Sequence, residues 1–528
     1  MKNTTGRWFL VLFLLALAGV RWLFIPWVEL APDEAYYYLW SQHLDWGYYS
    51  KGPGVALAIR LGTDWFGQNE FGVRCLSPLL SLGTAVMAWG LARRMFNEGV
   101  AFWTVMTSAV LPIFWVGSLV MTIDPLSIFF WAAAALTFWL AIEQTLKFHG
   151  WWLLSGVLIG LGFLCKYTNA FQLLTVVLFL ASSRRTRSAF RHAGFWSLLG
   201  GFCAMAWPPL IWNAQNLWIT VTHLKERGGA EDPTGWEPTA LGEFFLVHFG
   251  VYSPLIFLGI VIAAWKLKGI SRSDPRVRYL MLSAAPLIVF YALISVKKAG
   301  EANWTAPAFV SLIILAVYYW LDVSRKSRGM AVLCLGSLGF GAILSLLVLS
   351  TDFIRDIGVD WSYQRDPSGR LRGWKNAALS VDKFRSIGEQ VIGAPVFLIA
   401  NRYQTAAELG FYLPHRPSEG AGHPPVYIPE SQSIENQFSF WPRYDEFREV
   451  AKNAPAPDPM FKEQRAVNPF VGRSALYITD RMEEGPPSPI VRAFEKVELA
   501  GEFDVSRRGL MVKRWRVYLC WNYETLPL

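Results

Sequence analysis

Hydrophobic and polar positions divide the 528-residue chain near residue 350. Before that point, apolar stretches recur about eleven times at roughly the 20-residue length needed to cross about 30 Å of hydrocarbon. They cover residues 8–28, 72–92, 100–119, 125–142, 151–165, 168–182, 194–212, 244–265, 279–296, 304–321 and 330–350. The fifth and sixth flank Lys166 and read either as complete spans or as broken helices. Beyond residue 350 the period changes. Val396–Ala400 and Ala475–Thr479 read as short buried strands, and Arg514–Trp521 alternates like a half-exposed one. Residues 376–392 and 403–413 read as helices, and Pro414–Pro429 and Pro455–Pro459 as loops. The expected fold is therefore an all-α membrane bundle of about eleven transmembrane helices over residues 1–350, followed by a mixed α/β domain outside the membrane over residues 351–528. Neither a solenoid repeat nor a match between the halves of the apolar part is visible, which weakens a transporter reading without excluding it.

Composition sharpens this picture. With 53% hydrophobic and 17% charged residues, a chain of this length is too apolar for one soluble core. Residues 351–528 hold 23 basic and 23 acidic side chains, so the whole excess of +9 lies in the apolar part. Spread between spans, it points to membrane topology rather than to nucleic acid, whose binders gather Lys and Arg on one face. Alternate loops carry Lys2, Arg7, Arg93, Arg94, Lys147, Arg184, Arg185, Arg187, Arg191, Lys266, Lys268, Arg272, Arg276, Arg278, Arg325, Lys326 and Arg328. This set marks the cytoplasmic side, so the amino terminus is inside and an odd span count leaves the polar tail outside. Ala16-Leu17-Ala18 would suit a signal peptidase, but the apolar run continues through Val20, Trp22, Phe24 and Trp27, and an uncleaved first helix is expected. The five cysteines form neither a disulfide framework nor a CxxC metal motif.

On the expected topology the first outside loop, 29–71, carries Glu29, Asp33, Glu34, Tyr36–Tyr38, Asp45, Trp46, Tyr48, Tyr49 and Lys51. Such a loop can be a solvated segment with aromatic residues at headgroup depth. Asp124 argues for more, because an isolated carboxylate at the membrane border is costly unless paired, hydrated or bound. Lys166 and the Lys297, Lys298, Glu301 group fall on the same outer side. Cations at that depth can hold a lipid phosphate, and a neighbouring carboxylate can take a proton from an attacking hydroxyl or amine. Alternatively, each lysine snorkels to the interface. His223, His248, His415 and His423 lack ligand spacing and read as structural or exposed. Asn303-Trp304-Thr305 fits a glycosylation sequon but lies close to a span.

These residues carry a resemblance. Pro32-Asp33-Glu34-Ala35-Tyr36-Tyr37, followed by Asp45-Trp46-Gly47-Tyr48-Tyr49-Ser50-Lys51-Gly52-Pro53, resembles the first outside loop of GT-C glycosyltransferases related to protein O-mannosyltransferases and lipid A aminoarabinose transferases. Where those families carry Lys-Pro-Pro or His-Pro-Pro, this chain has Lys51-Gly52-Pro53. Further similar elements follow in order: Phe71-Gly72-Val73-Arg74, Leu91–Phe96, Asp124-Pro125, Gly162–Tyr167, and Asn401–Tyr412 with Asn436-Gln437-Phe438 and Trp441 in the tail.

The resemblance implies inverting transfer of a sugar from a polyprenyl-phosphate carrier to a lipid A, glycan or protein acceptor at the outer face of the cytoplasmic membrane. It implies Asp33 as the base or acceptor-orienting carboxylate, with Glu34 beside it. Lys51 and Lys166 would hold the carrier phosphate, supported by Lys297 and Lys298, and Asp124 would orient the acceptor or a divalent cation. Tyr48, Tyr49, Glu301, Asn303, Arg402 and Tyr403 are candidate substrate contacts, and Arg402, Tyr403 and Glu408 serve equally well as fasteners of the tail. Some members of the resembling families use a divalent metal cation and others do not, and the carboxylates here do not decide it; Asp33 and Asp124 are the positions for the metal if one binds. Gly228-Gly229 and Pro233 suggest a moving lid. A transporter or flippase of a lipid-linked sugar would need ionisable groups near mid-bilayer, whereas nearly all lie at span ends. A non-catalytic sensor leaves the Asp33, Asp124 and Lys51 grouping without a task.

Overall fold

The computed structural model describes residues 3–227, 237–349, 351–417, 419–445, 468–483 and 485–525. Lys2, the Gly228-Gly229 and Pro233 lid and the Pro455–Pro459 loop lie outside the described residues. The chain divides into two compact units, Met1–Trp27 with Leu44–Ile357, and Val28–His43 with Gly358–Leu528. The second takes in a stretch that the hydropathy pattern assigned to the membrane part. The reason is packing rather than local sequence, as the contacts of Tyr36 and Tyr38 below make plain.

The first unit is helical. Seven of its described helices are long and apolar enough to cross a membrane: Gly6–Trp27, Glu70–Met95, Ile123–Gln144, Ala193–Gln215, Pro275–Ile294, Ala302–Lys326 and Arg328–Val348. The remaining expected spans are interrupted. The stretch 100–119 splits into Glu98–Ala109 and Pro112–Gly117. Pro112 holds Leu111 extended, at φ −86° and ψ 125°, because the residue before a proline avoids the helical region. The stretch 244–265 bends by 112° between Thr239–Val251 and Pro254–Leu267. There Ser253 adopts φ 60° ahead of Pro254, which combines a left-handed residue with a missing N–H. The stretches on either side of Lys166 form the shorter apolar helices Gly150–Cys165 and Tyr167–Ala181.

Side chains such as Leu91, Phe138, Trp152, Phe179, Tyr279 and Ile313 interlock these helices in one core. Close approach needs glycine at Gly156, where a Cβ would stand 1.9 Å from the Leu198 carbonyl oxygen. All five cysteines are free.

The second unit is built on a four-stranded sheet in the order β1-β2-β4-β3. β1 (Phe397–Ala400) runs parallel to β2 (Ala475–Thr479), and β4 (Leu510–Tyr523) pairs antiparallel with both β2 and β3 (Phe494–Arg507). Arg508 and Gly509 both have positive φ, at 52° and 78°, which turns β3 into β4 with the hand a two-residue hairpin requires. Helices Trp374–Ile392 and Tyr403–Tyr412 match the two expected from the sequence within two residues at each end. Helix Pro32–Gln42 packs in the same unit.

Candidate active site

In the first unit the chain gathers Asp124, Lys166 and Asn303. Asp124 lies in the first turn of helix Ile123–Gln144, whose N-cap Thr122 accepts from the Asp124 amide at 3.3 Å. A carboxylate is favoured there by the amide dipoles of the helix start. Lys166 sits in extended conformation, φ −148° and ψ 118°, where helix Gly150–Cys165 ends. Its Nζ donates to Asp124 Oδ1 at 2.7 Å, while Asn303 Nδ2 donates to Asp124 Oδ2 at 2.7 Å. Both carboxylate oxygens are thereby engaged, with Asp124 8% and Lys166 6% exposed. A buried pair persists only when its lone pairs are met in this way. The same ammonium reaches the Asn303 carbonyl at 3.5 Å.

Neighbouring contacts hold this node. Asn169 Nδ2 donates to the Ser127 carbonyl at 3.0 Å, and Ser127 Oγ donates to Asn169 Oδ1 at 2.5 Å, tying the helices of Asp124 and Lys166 together. The turn Ala302–Thr305 that presents Asn303 is gripped by His248, whose Nε2 lies 2.7 Å from Thr305 Oγ1. His248 is buried and its Nδ1 faces the Phe244 carbonyl at 2.6 Å. It is structural, as expected, but the structure it serves is this node.

The turn that carries Lys51 lies against the residues just before Lys166. The Tyr48 amide donates to the Lys51 carbonyl at 2.9 Å, closing the turn that carries it. A Cβ on Gly52 would lie 2.3 Å from the Leu164 carbonyl oxygen, and one on Gly54 2.5 Å from Cys165 Sγ. This turn therefore rests on the end of helix Gly150–Cys165, directly before Lys166, and glycine at 52 is what lets the backbones touch. Tyr48 and Tyr49 are buried, and Tyr49 packs against His223 with the rings tilted and their centroids 4.6 Å apart. Burial, then the charges of Lys51 and Arg227, push the His223 imidazole down to about 4. Asp45 Oδ2 accepts from Trp212 Nε1 at 2.7 Å, anchoring the loop to helix Ala193–Gln215.

Glu301, Lys297 and Lys298 flank the turn that presents Asn303. Glu301 is exposed and pairs with Arg227 at 3.1 Å; Lys297 is half-buried and Lys298 exposed. No group of three or more His, Cys, Asp or Glu side chains converges among the described residues. At Asp124 the donor set is an ammonium and an amide N–H, so a divalent cation would have to displace Lys166 and does not fit this arrangement.

In the second unit, Asp33 is exposed at the second position of helix Pro32–Gln42, while Glu34 is buried with its Oε2 accepting from the Ala31 amide at 2.9 Å. Glu34 thus caps the helix that presents Asp33. That helix is held by hydroxyls. The Leu30 amide donates to Tyr412 Oη at 2.7 Å, the Gln437 amide to Tyr36 Oη at 2.6 Å, and Arg416 Nη1 to Tyr38 Oη at 2.9 Å. Tyr403 packs on Tyr36 at 4.6 Å and Arg402 pairs with Asp480 at 2.5 Å, so both fasten this unit internally. Arg416 carries no sequence signal, and nothing in the sequence joins Tyr412 or His248 to the partners they meet, since those partners are distant in the chain.

Helices long and apolar enough to cross a membrane, followed by a small mixed sheet domain, are the architecture in which these charged residues are set. A model of the dolichyl-phosphate-mannose-protein mannosyltransferase family matches residues 50–212. The chain is 31% identical over 322 residues to the lipid A galacturonosyltransferase RgtD of Rhizobium johnstonii, an alignment covering 60% of this chain and 64% of that one. It is 25% identical over 353 residues to the undecaprenyl phosphate-alpha-4-amino-4-deoxy-L-arabinose arabinosyl transferase of Edwardsiella ictaluri, covering 60% and 61%. The chain thus spans less than two thirds of the length of each of these relatives. Among solved structures, ArnT from Cupriavidus metallidurans bound to undecaprenyl phosphate superimposes with a TM-score of 0.63 at 16% identity, over 96% of this chain and 97% of that one. ArnT of the same organism in the apo state gives 0.59 at 17% identity, over 98% of each chain. The fold is shared with ArnT, and the resemblance read from the sequence, to GT-C enzymes of the lipid A aminoarabinose transferase type, is borne out. The chain is a multi-pass membrane protein.

Proposed function

We propose that the protein is an integral membrane glycosyltransferase that moves a sugar from a polyprenyl-phosphate donor to a lipid A, glycan or protein acceptor at the outer face of the cytoplasmic membrane. In this reading the chain makes about eleven passes, counting broken and short helices, with its amino terminus cytoplasmic and residues 351–528 outside. The observation that carries it is the buried Asp124–Lys166–Asn303 node beside the Lys51 turn, an arrangement of opposite charges at helix ends rather than along a mid-bilayer path. The names of the similar proteins support the donor class.

Chemically, the acceptor oxygen attacks the anomeric carbon, the bond from that carbon to the carrier phosphate oxygen breaks, and the electron pair leaves with the phosphate. Asp33 takes the acceptor proton. Lys51 meets the phosphate, and Lys166, Lys297 and Lys298 add positive charge to the same outer border. Lys166 is already bonded to Asp124, so it contributes its field and fixes Asp124, which orients the acceptor with Asn303. Tyr48 and Tyr49 shape the walls, and Glu301, Arg402 and Tyr403 support substrate binding from their own units. A phosphate leaving group needs little protonation, so no step is routed through a metal. The test is Asp33→Asn in the purified full-length protein, with transfer of radiolabelled sugar from polyprenyl phosphate followed by mass spectrometry of acceptor lipids. Loss of turnover in a normally folded variant is expected. Retained turnover removes Asp33 from the role of base.

A further inference from the structure

A cavity lies away from these residues, within the helices of the first unit. It encloses about 410 Å³ between Glu98–Ala109, Pro254–Leu267, Ala306–Lys326 and Arg328–Leu349. Trp103, Leu258, Ile262, Trp320, Leu335 and Leu338 give it an apolar lining. Polar atoms on its wall already have partners: Trp320 Nε1 donates to the Gly259 carbonyl at 2.9 Å, Ser337 Oγ to the Leu333 carbonyl at 2.8 Å and Ser324 Oγ to Cys334 Sγ at 3.4 Å. The interior therefore offers contact to hydrocarbon and little to a sugar or headgroup.

One end of the cavity is different. Lining residue Ile262 is followed one turn later by Lys266, Ser324 is followed at once by Arg325, and Ala331 comes three residues after Arg328. These three cations are exposed, and among the described residues none has a carboxylate partner; the nearby Asp322 is already taken by Lys326. Lys266 and Lys268 lie 4.8 and 5.6 Å from the ring of Trp265, which is 59% exposed, as befits a headgroup-level tryptophan. A general excess of positive charge on one side of a membrane accounts for the sign of these residues, but not for all three standing within four residues of a position that lines the apolar cavity.

We propose that this cavity binds an anionic phospholipid, with an acyl chain among Trp103, Leu258, Ile262, Trp320 and Leu338 and the headgroup phosphate against Lys266, Arg325 and Arg328. An apolar slot with an uncompensated cationic rim selects for an anionic headgroup over a zwitterionic one. The bound lipid fills the space between four helices and so braces the first unit independently of sugar transfer.

The experiment is native mass spectrometry of the full-length, delipidated protein titrated separately with phosphatidylglycerol, phosphatidylethanolamine and a polyprenyl monophosphate. Phosphatidylglycerol adducts should exceed phosphatidylethanolamine adducts at equal concentration. They should fall roughly fivefold for each cation removed in Lys266→Gln, Arg325→Gln and Arg328→Gln, and disappear in Ala331→Trp, which fills the cavity. The three charge variants lie on the exposed rim, so they keep the test decisive where the tryptophan variant fails to fold. Equal binding of both phospholipids, or adducts indifferent to all four substitutions, overturns the proposal. So does a cavity-dependent preference for polyprenyl monophosphate, which would make the slot a carrier site.

Discussion

Removing one half of the Asp124–Lys166 pair should do more harm than removing both. In Lys166→Met the Asp124 carboxylate keeps only the Asn303 amide as a strong donor, at a side chain that is 12% exposed. Leaving one partner of a buried pair uncompensated costs about 3–5 kcal/mol. Asp124→Asn leaves the buried ammonium without its countercharge, with a neutral amide oxygen and the Asn303 carbonyl at 3.5 Å as acceptors. In the double variant both charges are gone, Asn303 still has an amide to bond, and a methionine fills the lysine's volume. The cost should then fall below about 2 kcal/mol, since neutral replacement of a buried pair is often nearly free. Unfolding of all four proteins can be followed by tryptophan fluorescence during titration with denaturing detergent in mixed micelles. The expected coupling between the two sites is several kcal/mol. Additive single effects, each under about 1 kcal/mol, would refute the assignment of this pair as buried and mutually dependent.

Gly52→Pro, which restores the commoner family pattern, and Gly52→Ala should each destabilise the protein by roughly 1–3 kcal/mol through the contact with the Leu164 carbonyl; an unchanged thermal midpoint for either contradicts it. His223 titrates at about 4 in the folded chain against an ordinary 6.5. The unfolded chain therefore binds more protons between those values, and stability should drop as pH falls from 6.5 toward 4. His223→Gln should flatten that part of the pH profile of unfolding midpoints. Tyr412→Phe removes the hydroxyl that fixes the Leu30 amide. The loss is worth about 1 kcal/mol, or roughly fivefold, and should appear in kcat with KM unchanged; an effect on the melting midpoint alone would leave Tyr412 a purely structural residue.

Much of this was legible from local pattern. A count of alternating loops leads one to expect Asp124, Lys166 and Asn303 on one side of a membrane, and the fold brings those three within hydrogen-bonding distance. Hydropathy does not report how a span is broken, because apolar residues continue through Leu111-Pro112 and Tyr252-Ser253-Pro254 while the backbone turns. β3 was missed for the opposite reason. Phe494–Arg507 is mostly exposed, and its pairing is set by the neighbouring β4 rather than by an apolar alternation of its own. The fate of residues 28–43 depends on Tyr412, Arg416 and Gln437, some 380 to 400 positions away, and no window of sequence sees that far.

That last arrangement bears on how the chain is made. Helix Pro32–Gln42 leaves the ribosome early, yet the partners for its tyrosines are synthesised only near the end. For most of translation this segment must wait with aromatic side chains uncovered, an interval in which nascent proteins are prone to misassemble. A fragment beginning after residue 357 would meet the converse difficulty, with an empty slot where Tyr36 and Tyr38 belong. Supplying residues 28–43 in trans as a peptide should therefore rescue the solubility of such a fragment.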